Sequence, residues 1–239
     1  MAKEDINLNT EEMEKSGVNF GHKASKLHPK MKQYVYGIKN GVHVFDLEKT
    51  SKELIKALTF ISKIVAEGKS VIFVGTKIQL RAMIQKAALD CGIPYVTDRW
   101  LGGTFTNFET IQKRVNYFKD LEKKKETGEL EKYTKKERLN FDREIAKLKV
   151  KFDGIRNMAK LPEAVLIFGL DKDITCAREA TRKGIKIISI VDTNVNPDIV
   201  DYLIPANDDS ISSVKYILEK VCETIKSVEP AKALNQLKK

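Results

Sequence analysis

No apolar run in this sequence approaches the roughly 20 residues that a membrane-spanning helix needs. The longest, Ala164 to Leu170, has the length of a buried strand. The opening residues, MAKEDINLNTEE, carry acids and no apolar core, so neither a secretory signal nor an Arg-rich transit peptide is expected, and the chain should stay in the cytoplasm. Cysteine is scarce: Cys91, Cys176 and Cys222 are the only three, far apart and without CxxC spacing. That argues against a disulfide framework or a zinc ribbon and for reduced, mostly buried thiols. Also missing are a GxGxxG, a GxxxxGK[ST] and a GxSxG, so neither common phosphate cradle nor a nucleophile elbow is present. Acidic residues, finally, are absent from the whole span Lys15 to Phe45.

What is present is positive charge: 43 Lys+Arg stand against 33 Asp+Glu, a balance of +10 that favours a polyanionic partner. With 42% hydrophobic residues the chain has enough apolar surface to fold rather than remain disordered. Three segments repeat one pattern, an amphipathic stretch ending at glycine and followed by a continuous β-branched run: Glu67-Gly68 before SVIFV, Cys91-Gly92 before IPYVT, and Lys183-Gly184 before IKIISIV. Ala164 to Phe168 reads as another buried strand, and Tyr34 to Ile38 with Val42 to Phe45 as a pair around the turn Lys39-Asn40-Gly41. Alternating strands and helices imply an α/β fold, a parallel sheet with helices on both faces. Helices are expected near Lys49–Glu67, Lys77–Cys91, Ile174–Lys183 and Ser210–Ser227.

Between Asn107 and Met158 the strand signal stops. Phe108, Ile111, Val115, Phe118 and Leu121, then Phe141, Ile145, Leu148, Phe152 and Ile155, fall at steps of three and four. Capping boxes are expected at Thr106 to Glu109 and Thr134 to Glu137. With a break at Thr127-Gly128, the stretch reads as an inserted antiparallel helical hairpin, packed like a short coiled coil. The expected divisions are a basic arm with the first strands (1–45), an α/β body (46–106 and 159–229), the hairpin (107–158) and a C-terminal tail (230–239).

Candidate function follows the charge. Lys113 to Lys160 holds 16 Lys+Arg against nine Asp+Glu, and the acid-free arm carries Lys15, Lys23, Lys26, Lys30, Lys32 and Lys39 with His22, His28 and His43. With no carboxylate in the span, that charge is not expected to be paired internally, and lysines in a glycine-containing loop suit phosphate contact. The histidines lack HxxxH spacing and have no acid or thiolate nearby in sequence, so RNA contact or local capping is expected and no metal. The candidate RNA-binding residues are His22, Lys23, Lys26, His28, Lys30, Lys32, Lys39, Arg99, Lys113 and Arg114. Trp100 is read mainly as an anchor for its loop, with base stacking as the other option. The rival reading is a nucleotide- or metal-dependent α/β enzyme. It rests on the polar loops Gly75-Thr76-Lys77, Thr97 to Gly103, Asp192-Thr193-Asn194 and Asn207-Asp208-Asp209, which a doubly wound sheet gathers at its carboxyl edge. Within them, Thr76 to Gln79 looks like a helix cap, and Asp192, Asp208 and Asp209 are read as turn residues before magnesium ligands.

Seven collinear motifs also carry a resemblance: GVNFGH with Pro29-Lys30-Met31, YGIKNGVHVFDLEKT, FVGTK with Gln79, RWLGGTFTNF, FDGI through Met158 to Leu161-Pro162, DTN with Asn196-Pro197, and IPANDDS. On these the chain resembles the ribosomal protein S2 family of bacterial and organellar small subunits. The resemblance implies a flavodoxin-like sheet with a protruding hairpin. It also implies binding to small-subunit ribosomal RNA and support of neighbouring ribosomal proteins, including the largest one, which engages messenger RNA. No catalysis, cofactor, small-molecule substrate or membrane is implied. Where the family often has aspartate, this sequence has Gly169.

Overall fold

The computed structural model describes the backbone of residues 8–236 and side chains as far as residue 228, so the last residues of the expected tail lie outside it. Five strands form the parallel sheet expected of the α/β body: β4 (Val71–Val74), β5 (Tyr95–Val96), β6 (Ala164–Ile167), β7 (Lys186–Val191) and β8 (Tyr202–Pro205). Their spatial order is β5-β4-β6-β7-β8, with β4 and β6 in register from Val71↔Ala164 to Val74↔Ile167. The order reverses between β4 and β6, as in a flavodoxin-like sheet, and that reversal opens a crevice at the carboxyl ends of the two strands. A second, antiparallel sheet of order β1-β3-β2 is built from β1 (Phe20–Lys23), β2 (Val35–Lys39) and β3 (Val42–Phe45). The turn between β2 and β3 places Asn40 and Gly41 at positive φ, the conformation that Asn-Gly adopts at low cost.

Strand pleating divides the core in two, because successive side chains point to opposite faces. Val71, Phe73, Leu166 and Ile190 pack on one side with helices α1 (Thr10–Lys15), α2 (Leu47–Ala66), α3 (Arg81–Asp90) and α7 (Ile211–Gln236). Ile72, Val74, Val165, Ile167 and Ile187 pack on the other with α4 (Phe108–Glu126), α5 (Lys135–Phe152) and α6 (Ile174–Lys183). Helix α2 begins two residues before the expected Lys49 because the Asp46 side chain accepts from the N–H groups of Glu48 and Lys49. It buries Leu54, Ala57, Leu58, Ile61 and Ile64, a helical stripe, and ends where Gly68 turns to φ +78°.

Helices α4 and α5 lie side by side. Ile111, Val115, Phe118, Leu121, Ile145 and Phe152 share one buried cluster with the sheet face, and Phe108, Phe141 and Leu148 border it. Polar links fasten the pair, Lys125 to Asp142 and Arg156 to Glu122. The expected Thr134 capping box is present, with Glu137 bonding back to the Thr134 N–H. The other two expected boxes are not. Thr106 gives its N–H and hydroxyl to Glu179, so α4 starts only at Phe108. Thr76 gives its N–H and hydroxyl to Asp173, which delays α3 to Arg81. In both places a tertiary carboxylate outcompetes the local cap.

Phe118 is fully buried where the helix pair meets the body. Phe118→Ala should therefore cost about 3–5 kcal/mol, more than Leu148→Ala at the border of the same cluster. Urea denaturation of the two variants checks the ranking, and equal losses would mean that the helix pair is not seated on the sheet.

Candidate nucleic-acid interface

Two kinds of charge emerge from the fold, one compensated inside the chain and one facing outward. The compensated set fills the carboxyl edge of the parallel sheet. Lys77, in the loop after β4, reaches across the crevice to the loop after β8, its Nζ lying 2.8 Å from Asp208 Oδ1 and 2.7 Å from Asp209 Oδ1. It passes Gly169, where an added Cβ would stand 3.0 Å from Lys77 Cε. A side chain there would meet the flexible end of the lysine, which would have to give by a few tenths of an ångström. Burial opposes the charge on Lys77, but Asp208 and Asp209 outweigh it and raise its pKa. Burial also pushes Asp208 up to about 6, with the charges of Asp192 and Asp209 adding to it and Lys77 opposing.

Glu179, on α6, closes the second polar loop in the same manner. Its carboxylate accepts from the N–H groups of Gly103, Phe105 and Thr106 and from Trp100 Nε1. Burial alone would raise this carboxyl, but those donors hold it below the ordinary glutamate value. Trp100 is buried, edge-on to Phe105, which settles its role as a loop anchor and removes base stacking.

The arm is docked on the same edge. His22 lies between two carboxylates, Nδ1 at 3.0 Å from Asp192 Oδ2 and Nε2 at 3.5 Å from Asp209 Oδ2. Gly21 packs so closely that an added Cβ would meet Thr193 Cγ2 at 2.7 Å, and the His22 N–H donates to Thr193 Oγ1. His22, Asp192 and Asp209 thus form a group able to offer three metal-ligand atoms. Sequence reasoning passed over it because both acids lie in the last quarter of the chain, far from His22. Both imidazole nitrogens already face carboxylates, and Asp209 is shared with the Lys77 ammonium.

One expectation is corrected: His22 lies between Asp192 and Asp209 and Lys30 forms an ion pair with Asp198, so the arm's charge is partly paired by acids that folding brings to it. His28 acts as the local cap, its Nδ1 accepting from the Lys30 N–H. Lys23, Lys26, Lys32, Lys39, Arg99, Lys113 and Arg114 are exposed, and among the described residues none has an ion-pair partner. The arm contributes the first four, the loop after β5 Arg99, and the start of α4 the last two.

The edge makes a prediction about pH. On folding, Asp208 goes from an ordinary pKa near 3.8 to about 6, so folding takes up a proton. Its contribution to stability is present below 3.8 and is lost as pH rises through about 6, a swing on the order of 2–3 kcal/mol. Asp208→Asn should flatten that part of the profile when urea midpoints are measured from pH 4 to 7. Superimposable profiles for the two proteins would contradict the burial of an ionisable Asp208.

The comparisons with known proteins agree with this geometry. The family model described as "Ribosomal protein S2" matches residues 13–227. "Small ribosomal subunit protein uS2c" of Guillardia theta is 47% identical over 214 residues, 90% of this chain and 91% of that protein. "Small ribosomal subunit protein uS2" of Francisella philomiragia subsp. philomiragia is 44% identical over 90% of both chains. The uS2 of Roseiflexus sp. (strain RS-1) is 45% identical over 87% of this chain and 79% of its own. Likeness of this extent reaches from the arm's clasp to the last strand and helix of the sheet, and the chain belongs to the ribosomal protein S2 family.

Proposed function

We propose that the chain is a structural constituent of the small ribosomal subunit that binds folded ribosomal RNA through phosphate and sugar contacts and supports neighbouring ribosomal proteins. The observation that carries this reading is the set of exposed, unpaired cations on the arm, the loop after β5 and the start of α4, set beside a carboxyl edge whose buried carboxylates are already compensated. Free ammonium groups on a folded surface release counterions from a polyanion, and lysine-rich surfaces of this kind read shape and backbone rather than base sequence. Lys23, Lys26, Lys32 and Lys39 lie on or beside the antiparallel sheet, whose docking by His22 and Thr193 presents them from a fixed platform.

The nucleotide-enzyme reading loses its site. The crevice between β4 and β6, where such a fold holds a ligand, is crossed by Lys77, and the loop after β5 is folded onto Glu179. The family is one of ribosomal proteins, not enzymes.

Replacing Lys23, Lys26, Lys32 and Lys39 together by Ala should weaken incorporation into small subunits. The slope of log affinity against log salt should become shallower by roughly 0.7–0.9 per lost phosphate contact, about 3 in all. Lys30→Ala alone should change the slope little, because its charge is already met by Asp198. Reconstitution at several salt concentrations measures both, and an unaltered slope in the fourfold variant would remove the arm from the RNA surface.

A further inference from the structure

One surface has the opposite character from the rest. Between α1, β2, β3 and the start of α2 lies an open groove of about 780 Å³, bordered by Glu14, Asn19, Tyr36, Ile38, Lys39 and Glu48. Its wall is β2, an edge strand of the antiparallel sheet, so alternate backbone N–H and C=O groups along it face away from β3. Tyr36 and Ile38 on this strand are 84% and 62% exposed, large apolar side chains that the chain's own fold leaves uncovered. Asn19 is 7% exposed, and its Oδ1 has no hydrogen-bond partner among the described residues. A buried amide oxygen without a donor is costly.

We propose that this groove docks an extended, basic segment of a neighbouring protein, added as a strand to the free edge of β2. Charge selects the class of partner. Glu14 and Glu48 have no ion-pair partner among the described residues, whereas Lys39 is the one cation in the lining. Asp46 is engaged in capping α2. On a chain of net charge +10 this rim is locally negative, so it repels phosphate and attracts Lys or Arg. An edge strand supplies main-chain hydrogen bonds, and exposed apolar residues on it supply pockets for alternate side chains, the chemistry of strand addition. The proposal rests on the ribosomal reading only for where the partner comes from, a particle rich in basic proteins.

The test uses intact small subunits. Tyr36→p-benzoylphenylalanine is incorporated into the full chain, particles are isolated by sedimentation and irradiated, and the crosslinked product is sequenced by mass spectrometry. The expected product joins the groove to an extended protein segment bearing Lys or Arg. Combining it with Glu14→Lys and Glu48→Lys should cut the yield by roughly tenfold without lowering the amount of chain in the particle. Crosslinking to RNA, to this same chain, or to nothing in particles that contain the chain overturns the proposal, as does an unchanged yield after charge reversal. Absence of the chain from the particles would contradict the proposed function itself, so the two failures are told apart.

Discussion

Burying carboxylates at the open end of a parallel sheet is the constraint on which the rest of this molecule depends. Asp173, Glu179, Asp192 and Asp208 are all nearly withdrawn from solvent, and each has a partner from a distant part of the chain: Thr76, the 103–106 loop with Trp100, His22, and Lys77. A buried charge without a partner is strongly destabilising, so these pairings are obligatory rather than decorative. They have three consequences at once. They fill the crevice where a fold of this topology would hold a nucleotide, they fix the loops after β4 and β5, and they pin the N-terminal arm to the sheet through His22.

That internal closure decides which charges remain for other molecules. Several acids that might have neutralised the exposed lysines are taken up at the edge, by capping, or by pairs such as Lys30 with Asp198 and Lys125 with Asp142. Part of the surplus is left on the arm, at Arg99 and at the start of α4, where a polyanion can meet it. The acidic groove beside β2 adjoins that surface, with Lys39 at its rim, and has the character of a protein contact. One chain thus presents two faces, a cationic one suited to phosphate and an apolar, acidic one suited to a basic peptide.

Much of the architecture was legible in the sequence because it depends on local periodicity. Continuous β-branched runs after Gly68, Gly92 and Gly184 marked β4, β5 and β7, the range expected for α6 coincides with the observed helix, and the three-four spacing found α4 and α5. Three elements escaped, the short helix α1 among them. β1, Phe20–Lys23, is four residues with glycine and histidine in the middle, held by pairing to β3 rather than by propensity. β8 was implied only by the polar loop after it. The misplaced caps at Thr76 and Thr106 share a cause, since a motif of local hydrogen bonds says nothing about a carboxylate arriving from nearly 100 residues away at Asp173 or 73 away at Glu179. The candidate site divided in the same way. Exposed lysines could be named from charge runs, whereas the clasp of His22 on Asp192 and Asp209 exists only after folding.

The central claim is that folded RNA meets the unpaired cations and not the carboxyl edge. A reconstruction of the small ribosomal subunit containing this chain, at side-chain resolution, tests it most directly. The account predicts phosphates within hydrogen-bond reach of Lys23, Lys26 and Lys32, and of the α4 cations Lys113 and Arg114, with Lys77 still bound to Asp208. RNA seated in the crevice between β4 and β6, with the arm lysines facing solvent, would contradict it.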